Sequence, residues 1–215
     1  MMTRRFFATA FLCFTIALSS APVMAKDFGK EAESFIQTMA DKAMASFRSS
    51  QDSQTRNIEF RNLLNEGFDV RAIGKWVLGR YWRKASEAEK EDYLKLFEDF
   101  IIVTYSKRFE DYSGENITLT VTESLAKNDQ DAIVRSQIER PQSSEPILVD
   151  WRVKANKDGE KKVVDVLIAG VSMSQTQRAE FVSVIKRGGG NVSALIDALR
   201  TKTAELVSDV DKAAQ

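Results

Sequence analysis

Histidine is absent from the 215-residue chain, and cysteine occurs once. Without histidine the chain lacks the commonest general base and metal ligand, which disfavours most hydrolase and zinc-site mechanisms. Cys13 lies inside an apolar stretch near the N-terminus and has no small residue before it, so a lipoprotein-type cleavage is not expected. The rest of the chain has no thiol chemistry and no disulfide. We therefore expect no metal site and no cofactor.

The N-terminal segment has the pattern of an export signal. Two arginines precede an apolar run from Phe6 to Leu18, and the stretch that ends at Ala25 offers a small-residue cleavage site. We expect residues 1–25 to be removed and residues 26–215 to form a single domain. No later apolar run is long enough to span a membrane.

Charge of either sign is not in excess, since 31 basic residues stand against 31 acidic residues. Loss of Arg4 and Arg5 with the export signal would leave the chain slightly acidic. This balance argues against nucleic acid as a partner and against permanent electrostatic attachment to anionic lipid.

The hydrophobic period changes twice along the chain. Apolar residues recur at intervals of three and four in the N-terminal half and again near the C-terminus, which is typical of amphipathic helices. Between them, apolar and polar residues alternate, which predicts an antiparallel sheet with one apolar face. We predict helices over 30–47, 54–66, 70–78, 86–112, 174–186 and 192–207, and strands over 117–121, 132–139, 147–154 and 162–169.

Local signals mark several ends of these elements. Ser86 with Glu89 forms a capping box, Ser174 with Gln177 forms a second one, and Gly67 is expected to stop a helix in the left-handed conformation. The tail after residue 207 is expected to fray. The fold class is α+β, with a four-stranded antiparallel sheet covered on one face by helices.

Three stretches of the sequence resemble the MlaC family, the toluene-tolerance auxiliary proteins that carry phospholipid through the periplasm. They read FDVRAIGKWVLGRYWRKASEAEKEDYLKLFEDFIIVTYSKRFEDYSG, VVDVLIAGVSMSQTQRAEFVSVI and ALIDALRTK. The resemblance covers roughly residues 35–202. Its most specific parts are Leu78 to Trp82 and Asp165 to Ser172.

The resemblance implies an NTF2-like cone with an internal hydrophobic cavity for acyl chains. The implied function is that of a periplasmic carrier, not an enzyme, with phospholipid as cargo. The implied partners are an outer-membrane lipoprotein complex and an inner-membrane ABC transporter complex with a substrate-binding lipid-transfer subunit. The implied transport between them is retrograde or anterograde, and the implied role is in the lipid asymmetry of the outer membrane.

The expected cavity lining combines residues matched to the family with sheet residues that alternation places on one face. The alternative is that these residues form an ordinary aromatic-rich core, and periodicity does not distinguish such a core from a cavity lining. A shift of the fourth strand by one residue would bring Val163, Leu167 and Ala169 to the cavity. The expected lining residues are Phe68, Ile73, Val77, Leu78, Tyr81, Trp82, Phe97, Phe100, Tyr105 and Phe181 on the helices, and Val149, Trp151, Val166 and Ile168 on the sheet.

Polar residues near this set have competing interpretations. Arg80 is the candidate for contact with a lipid head group, but it could instead pair with Asp69 or stack on Trp82. Asp165 is expected to form an ion pair with Arg178. Four lysines around the predicted hairpin turn could dock on a partner or belong to a solvated loop: Lys154, Lys157, Lys161 and Lys162.

Three other functions compete with phospholipid carriage. An NTF2-like isomerase or dehydratase would use Asp165 or Glu123 as a base in an apolar pocket. A carrier of a polycyclic lipid such as a hopanoid would share the same family resemblance. A structural or chaperone-like protein would have a filled core and no ligand.

Overall fold

A computed structural model describes residues 24–49, 53–110, 117–141 and 143–213 of the chain. Most of the expected export signal lies outside these described residues. The helices are α1 (Met24–Ser49), α2 (Ser53–Gly67), α3 (Val70–Leu78), a 3₁₀ turn (Gly79–Arg83), α4 (Glu87–Glu110), α5 (Met173–Arg187) and α6 (Val192–Ala213). The strands are β1 (Thr118–Asn128), β2 (Asp131–Glu139), β3 (Ile147–Ala155), β4 (Lys161–Ile168) and β5 (Val171–Ser172).

The strands form one antiparallel sheet in the order β1-β2-β3-β4-β5. The predicted α+β class and the four-stranded meander are therefore confirmed. Strand β5 was not predicted, because two residues are too few to display an alternating pattern.

A bulge in β4 decides which side chains share the inner face of the sheet. Val153 is opposite Val163, whereas Trp151 is opposite Val166, so Val164 is an extra residue between the two pairs. Val163 therefore shares a face with Val166 and Ile168 instead of replacing them. The predicted strand over 162–169 assumed unbroken alternation, and the bulge breaks it.

Helix α1 covers the inner face of the sheet. Phe28, Ala32 and Ile36 lie four residues apart on one helix face and are all buried. They pack against buried sheet residues, namely Ala132, Val134, Val153 and Val163. Burial of each large apolar side chain stabilises the fold by about 1.5–3 kcal/mol.

Helices α3, α4, α5 and α6 form a second core, together with the 3₁₀ turn, around three aromatic rings. Tyr93 and Phe97 stack with their ring centroids 5.8 Å apart, and Phe181 meets both rings edge-on at 6.3 and 6.2 Å. The Tyr93 hydroxyl donates a hydrogen bond to the Gly74 carbonyl at 2.9 Å. Gly74 lets α3 approach α4 closely, since a Cβ there would lie 2.9 Å from a Leu94 methyl group.

The observed helix starts can be compared with the two capping boxes predicted from the sequence. The Ser86 and Glu89 capping box is confirmed, because Ser86 N–H donates to the Glu89 carboxylate at 2.9 Å and Glu89 N–H donates to Ser86 Oγ at 3.2 Å. The second box was wrong: helix α5 starts earlier, and Ser172 is its cap, accepting from Gln175 N–H.

Two further predicted ends were also wrong. Gly67 ends α2 without a positive φ, and its small size instead makes room for Met39, whose Cε would lie 2.8 Å from an added Cβ. Helix α6 continues to Ala213 instead of fraying after residue 207.

Candidate functional site

Most of the buried apolar residues fall into two clusters that share no residue. We call them the helical cluster and the sheet cluster. Helices α3 and α5 belong to the helical cluster and also lie beside β4, so they connect the two. The helical cluster contains Val77, Leu78, Tyr81, Ala85, Tyr93, Leu94, Phe97, Phe181, Ile185, Val192, Leu195, Ile196 and Leu199. The sheet cluster contains Phe28, Ala32, Ile36, Ala132, Val134, Val153 and Val163.

The predicted sheet residues lie together on the inner face, at the edge of the sheet cluster. Val149 is buried, Trp151 and Val166 are half-buried, and Ile168 exposes 36% of its surface. Trp151 Nε1–H donates to Ser136 Oγ at 2.9 Å, and Ser136 donates to the Val149 carbonyl at 3.0 Å. The polar edge of the indole is thereby satisfied, which leaves its ring as apolar contact surface.

The predicted helix residues fall mainly in the helical cluster. Five of them are buried there, and three more are half-buried and pack against it. Phe68 packs against the sheet cluster, and Tyr105 is half-buried on α4. The buried five are Val77, Leu78, Tyr81, Phe97 and Phe181, and the half-buried three are Ile73, Trp82 and Phe100. Their role in lining a ligand site stays a prediction.

Two surface grooves have volumes in the range of small-ligand sites. One is largely apolar, measures about 550 Å³ and lies between α4, α5 and α6, with Phe100, Phe181 and Leu195 in its walls. The other is polar, measures about 490 Å³ and lies beside Phe68 and Arg71. Neither could be predicted from periodicity, because each depends on how separate helices meet.

Arg80 contacts the residue that follows it. Its Nη2 donates to the Tyr81 hydroxyl at 3.2 Å, and its guanidinium carbon lies 5.1 Å from the centroid of the Tyr81 ring. Asp69 instead caps α3, where it accepts from Ala72 N–H at 2.9 Å. Both predicted structural partners of Arg80, Asp69 and Trp82, were therefore wrong. Contact between Arg80 and a head group stays a prediction.

Asp165 holds the start of α5. Its carboxylate accepts from Ser172 Oγ at 2.6 Å and from Ser174 N–H at 3.2 Å. Arg178 lies farther along α5 and reaches α3 instead, with its guanidinium carbon 4.9 Å from the centroid of the Trp76 ring. The predicted ion pair between Asp165 and Arg178 was wrong, because the free amides at the helix start attract the carboxylate.

The lysines of the β3–β4 hairpin mostly serve the fold. Lys154 pairs with Asp131 at 3.5 Å, and Lys161 pairs with Glu31 at 2.8 Å. Lys162 Nζ donates to two carbonyls at the end of α2, at 3.0 and 2.7 Å. Of the four predicted lysines, these three have structural partners.

Asp131 is the buried acid of the sheet's outer face. Burial raises the pKa of Asp131, but hydrogen bonds and charge from Arg152, together with the charge of Lys154, outweigh burial and lower the pKa overall. The carboxylate therefore stays ionised and holds β2 to β3.

The described residues contain neither a candidate membrane-spanning helix nor a candidate metal-binding cluster. None of the helices that the structure describes combines the length and hydrophobicity of a membrane span. The same ranges contain no group of three or more cysteine, histidine or acidic side chains placed to bind a metal ion.

Sequence reasoning missed two features of the inner side of the sheet. Phe28 and Ala32 continue the apolar stripe of Ile36 at intervals of four, and this signal was available in the sequence. The role of Ser136 could not have been recognised from the sequence, because Ser136 accepts a hydrogen bond from Trp151, which lies fifteen residues away.

Comparisons with known proteins give a consistent result. The model of the family described as "MlaC protein" matches residues 34–201. The intermembrane phospholipid transport system binding protein MlaC of Haemophilus influenzae is 29% identical over 180 residues, which are 80% of each chain. A solved phospholipid-binding protein from Ralstonia solanacearum, in complex with a phospholipid, superposes with a TM-score of 0.70 at 26% identity. That match covers 82% of this chain and 98% of the other.

Proposed function

The chain belongs to the MlaC family, and from this premise we propose that it carries phospholipid across the periplasm. The observation that carries the proposal is the likeness over nearly the full length of a protein solved with phospholipid bound. The name of the Haemophilus influenzae relative, an intermembrane transport protein, supports the same function.

A carrier is needed because moving the acyl chains of a phospholipid from a membrane into water has a large energetic cost. Each methylene group moved from hydrocarbon into water costs about 0.8 kcal/mol, so an acyl chain of about 16 carbons costs roughly 12 kcal/mol. Free diffusion of the lipid between membranes is therefore rare. The carrier replaces the hydrocarbon of the bilayer around the tails, and no bond needs to be made or broken.

We place the acyl chains at the border between the two clusters. The apolar side chains there are half-buried or exposed. Ile73 packs against the helical cluster, Phe68, Trp151 and Val166 pack against the sheet cluster, and Ile168 lies exposed at the edge of the sheet. The fully buried members of the predicted set, such as Val77 and Phe97, belong to the core of the helical cluster and are not expected to contact the lipid directly.

We further propose that the carrier exchanges lipid with an outer-membrane lipoprotein complex and an inner-membrane ABC transporter complex. Catalysis is not part of the proposal, because Asp165, the best candidate base, is engaged at the start of α5. Reconstitution with lipid-labelled donor and acceptor membranes will establish the direction of transport.

The identity of the cargo is tested by mass spectrometry of an organic extract of the protein purified from the periplasm. We expect a two-chain phospholipid in stoichiometric amount. A polycyclic lipid in its place would assign the chain to a different cargo. An extract without lipid, from protein confirmed to be folded, would contradict the proposal.

The location is tested by a pair of substitutions on opposite faces of the same sheet. Ile168→Asp places a charge on the inner face and should sharply reduce bound lipid. Leu148→Asp is the matched control, because Leu148 exposes 58% of its surface and neighbours Val149, the strand partner of Ile168, yet points to the outer face. Circular dichroism confirms folding of both. Equal lipid content in the two variants would contradict the proposed border.

A further inference from the structure

Five cations lie on the 3₁₀ turn, the residue after it and the last turn of α5. We call this surface the basic face, and every one of its side chains is exposed. Its members are Arg80, Arg83, Lys84, Lys186 and Arg187.

Tyr81 is the point at which the two segments meet. The tyrosine exposes only 3% of its surface, so its ring belongs to the helical cluster. Arg80 and Lys84 approach the ring to 5.1 and 5.8 Å from its centroid. The hydrogen bond from Arg80 lowers the pKa of Tyr81, and the charges of Lys186 and Lys84 act in the same direction. Cations from both segments therefore act on one phenol.

Acidic side chains of the described residues do not pair with these cations. Within the described parts of the chain, none of the five forms an ion pair. The hairpin lysines differ, since Lys154 and Lys161 pair with acids and Lys162 caps a helix. Among the described residues, the basic face is therefore a positive surface without an acidic partner.

Helix capping accounts for only part of the basic face. A cation in the last turn of α5 stabilises the negative end of that helix, which amounts to about half an elementary charge. Five full positive charges exceed this requirement, and three of them come from outside α5. Their mutual repulsion is a cost that a negatively charged partner would offset.

The basic face lacks the apolar groups that a membrane-inserting surface needs. Stable attachment to a bilayer combines cations with apolar side chains that enter it. Among the described residues, no exposed large apolar side chain belongs to the segments of the basic face; the exposed ones are Ile58, Trp76, Leu125, Leu148, Ile168, Val171 and Val207. We propose that the basic face docks transiently on an acidic protein surface.

Charge attraction suits a carrier that must find and leave its partners. Complementary charge raises the association rate more than it raises affinity, so docking is fast and reversible. The inference extends the proposed function but does not depend on lipid being bound. The two proposals can therefore fail separately.

The test is an NMR titration of the ¹⁵N-labelled full mature chain with a glutamate-rich peptide. The probe is a decaglutamate, and a parallel titration uses vesicles of phosphatidylcholine with phosphatidylglycerol. We expect the peptide to shift amide signals of residues 79–85 and 182–190, and added salt to weaken the effect. We expect the vesicles to leave these signals unchanged.

Two triple variants with the same loss of charge complete the test. Lys84→Gln, Lys186→Gln and Arg187→Gln together should weaken peptide binding several-fold, with lipid content unchanged and a Tm equal to or above that of the wild type. Lys30→Gln, Lys127→Gln and Lys157→Gln remove three exposed lysines outside the basic face and should retain binding.

Three results would overturn the proposal. Equal peptide binding by both triple variants would show that the attraction is not specific to the basic face. Signal shifts with vesicles but not with peptide would assign the surface to a membrane. A lowered Tm of the Lys84, Lys186 and Arg187 variant with unchanged binding would assign the cations a structural role.

Discussion

The helical cluster and the sheet cluster are both apolar, yet they are built differently. The helical cluster is organised by aromatic rings in mutual contact, with Phe181 edge-on to Tyr93 and Phe97. The sheet cluster uses small and β-branched side chains beneath one helix, and its edge residue Ile168 remains exposed. Much of the aromatic content that suggests a ligand cavity thus stabilises the protein itself. We propose that the apolar surface available to a ligand lies at the edge of the sheet, around the exposed Ile168.

The largest expected effect comes from emptying the helical cluster. Phe97→Ala should lower the free energy of unfolding by about 3–5 kcal/mol, because it removes a buried ring that contacts two others. Val134→Ala in the sheet cluster should cost clearly less, since it removes fewer buried atoms. Urea unfolding of both variants makes the comparison. Equal losses would contradict the difference in construction between the clusters.

The next effect concerns the contact between α3 and α5. Gly79→Ala should cost about 2–3 kcal/mol, because its φ of +58° and ψ of −125° form a backbone conformation that L residues rarely adopt. The new Cβ would also lie 2.7 Å from Arg178 Nη2 and would displace that guanidinium group. Gly159→Ala is the control: its φ is +80° and no atom lies within 4 Å, so a backbone strain of about 1 kcal/mol is expected. Thermal unfolding of both variants makes the comparison. A Gly79 variant no less stable than the Gly159 variant would contradict the expected strain at Gly79.

A smaller effect compares one hydrogen bond in each cluster. Burial raises the pKa of Tyr93, so its hydroxyl stays protonated and donates to the Gly74 carbonyl. Tyr93→Phe should cost about 1 kcal/mol, and Trp151→Phe, which loses the bond to Ser136, should cost a similar amount. Only the Trp151 variant should also change lipid content. A change of lipid content in the Tyr93 variant alone would reverse the proposed roles of the two clusters.

The smallest expected effect is a pH dependence of the free energy of unfolding that comes from Asp131 on the outer face of the sheet. Because the folded state lowers the pKa of Asp131, its contribution is present above the ordinary aspartate pKa of about 3.9 and is lost as pH falls through the folded value. Asp131→Asn should lower the free energy of unfolding at neutral pH by up to about 1 kcal/mol. Urea unfolding across the acid range should show the gap to the wild type closing below about pH 4. A gap that stays constant with pH would exclude this carboxylate as its source.

Periodicity predicted the α+β class, the order of helices and strands, and four of the five strands. These features follow from which face of each element is apolar, and the sequence records that directly. The bulge at Val164 was not predictable in the same way, because an extra residue leaves the composition of the strand unchanged. The cap at Ser172 was missed because Ser174, two residues later, carries an equally plausible motif.

The shared sheet face of the candidate residues was predicted correctly, but several of their side-chain contacts were not. Alternation correctly placed Val149, Trp151, Val166 and Ile168 on one face of the sheet. Charge partners were assigned less well, since Arg178 contacts Trp76 instead of Asp165. A charged side chain reaches whichever group the packing of helices brings near, and spacing along the chain does not contain that information.

The most direct test of the proposed acyl-chain position is cross-linking with a phospholipid that carries a photoactivatable group in its acyl chain, followed by peptide mapping. We expect adducts on the inner faces of β3 and β4, at Trp151, Val166 or Ile168, and on Phe68 or Ile73 across the border. Adducts confined to the groove between α4, α5 and α6, at Phe100, Phe181 or Leu195, would contradict the proposed acyl-chain position.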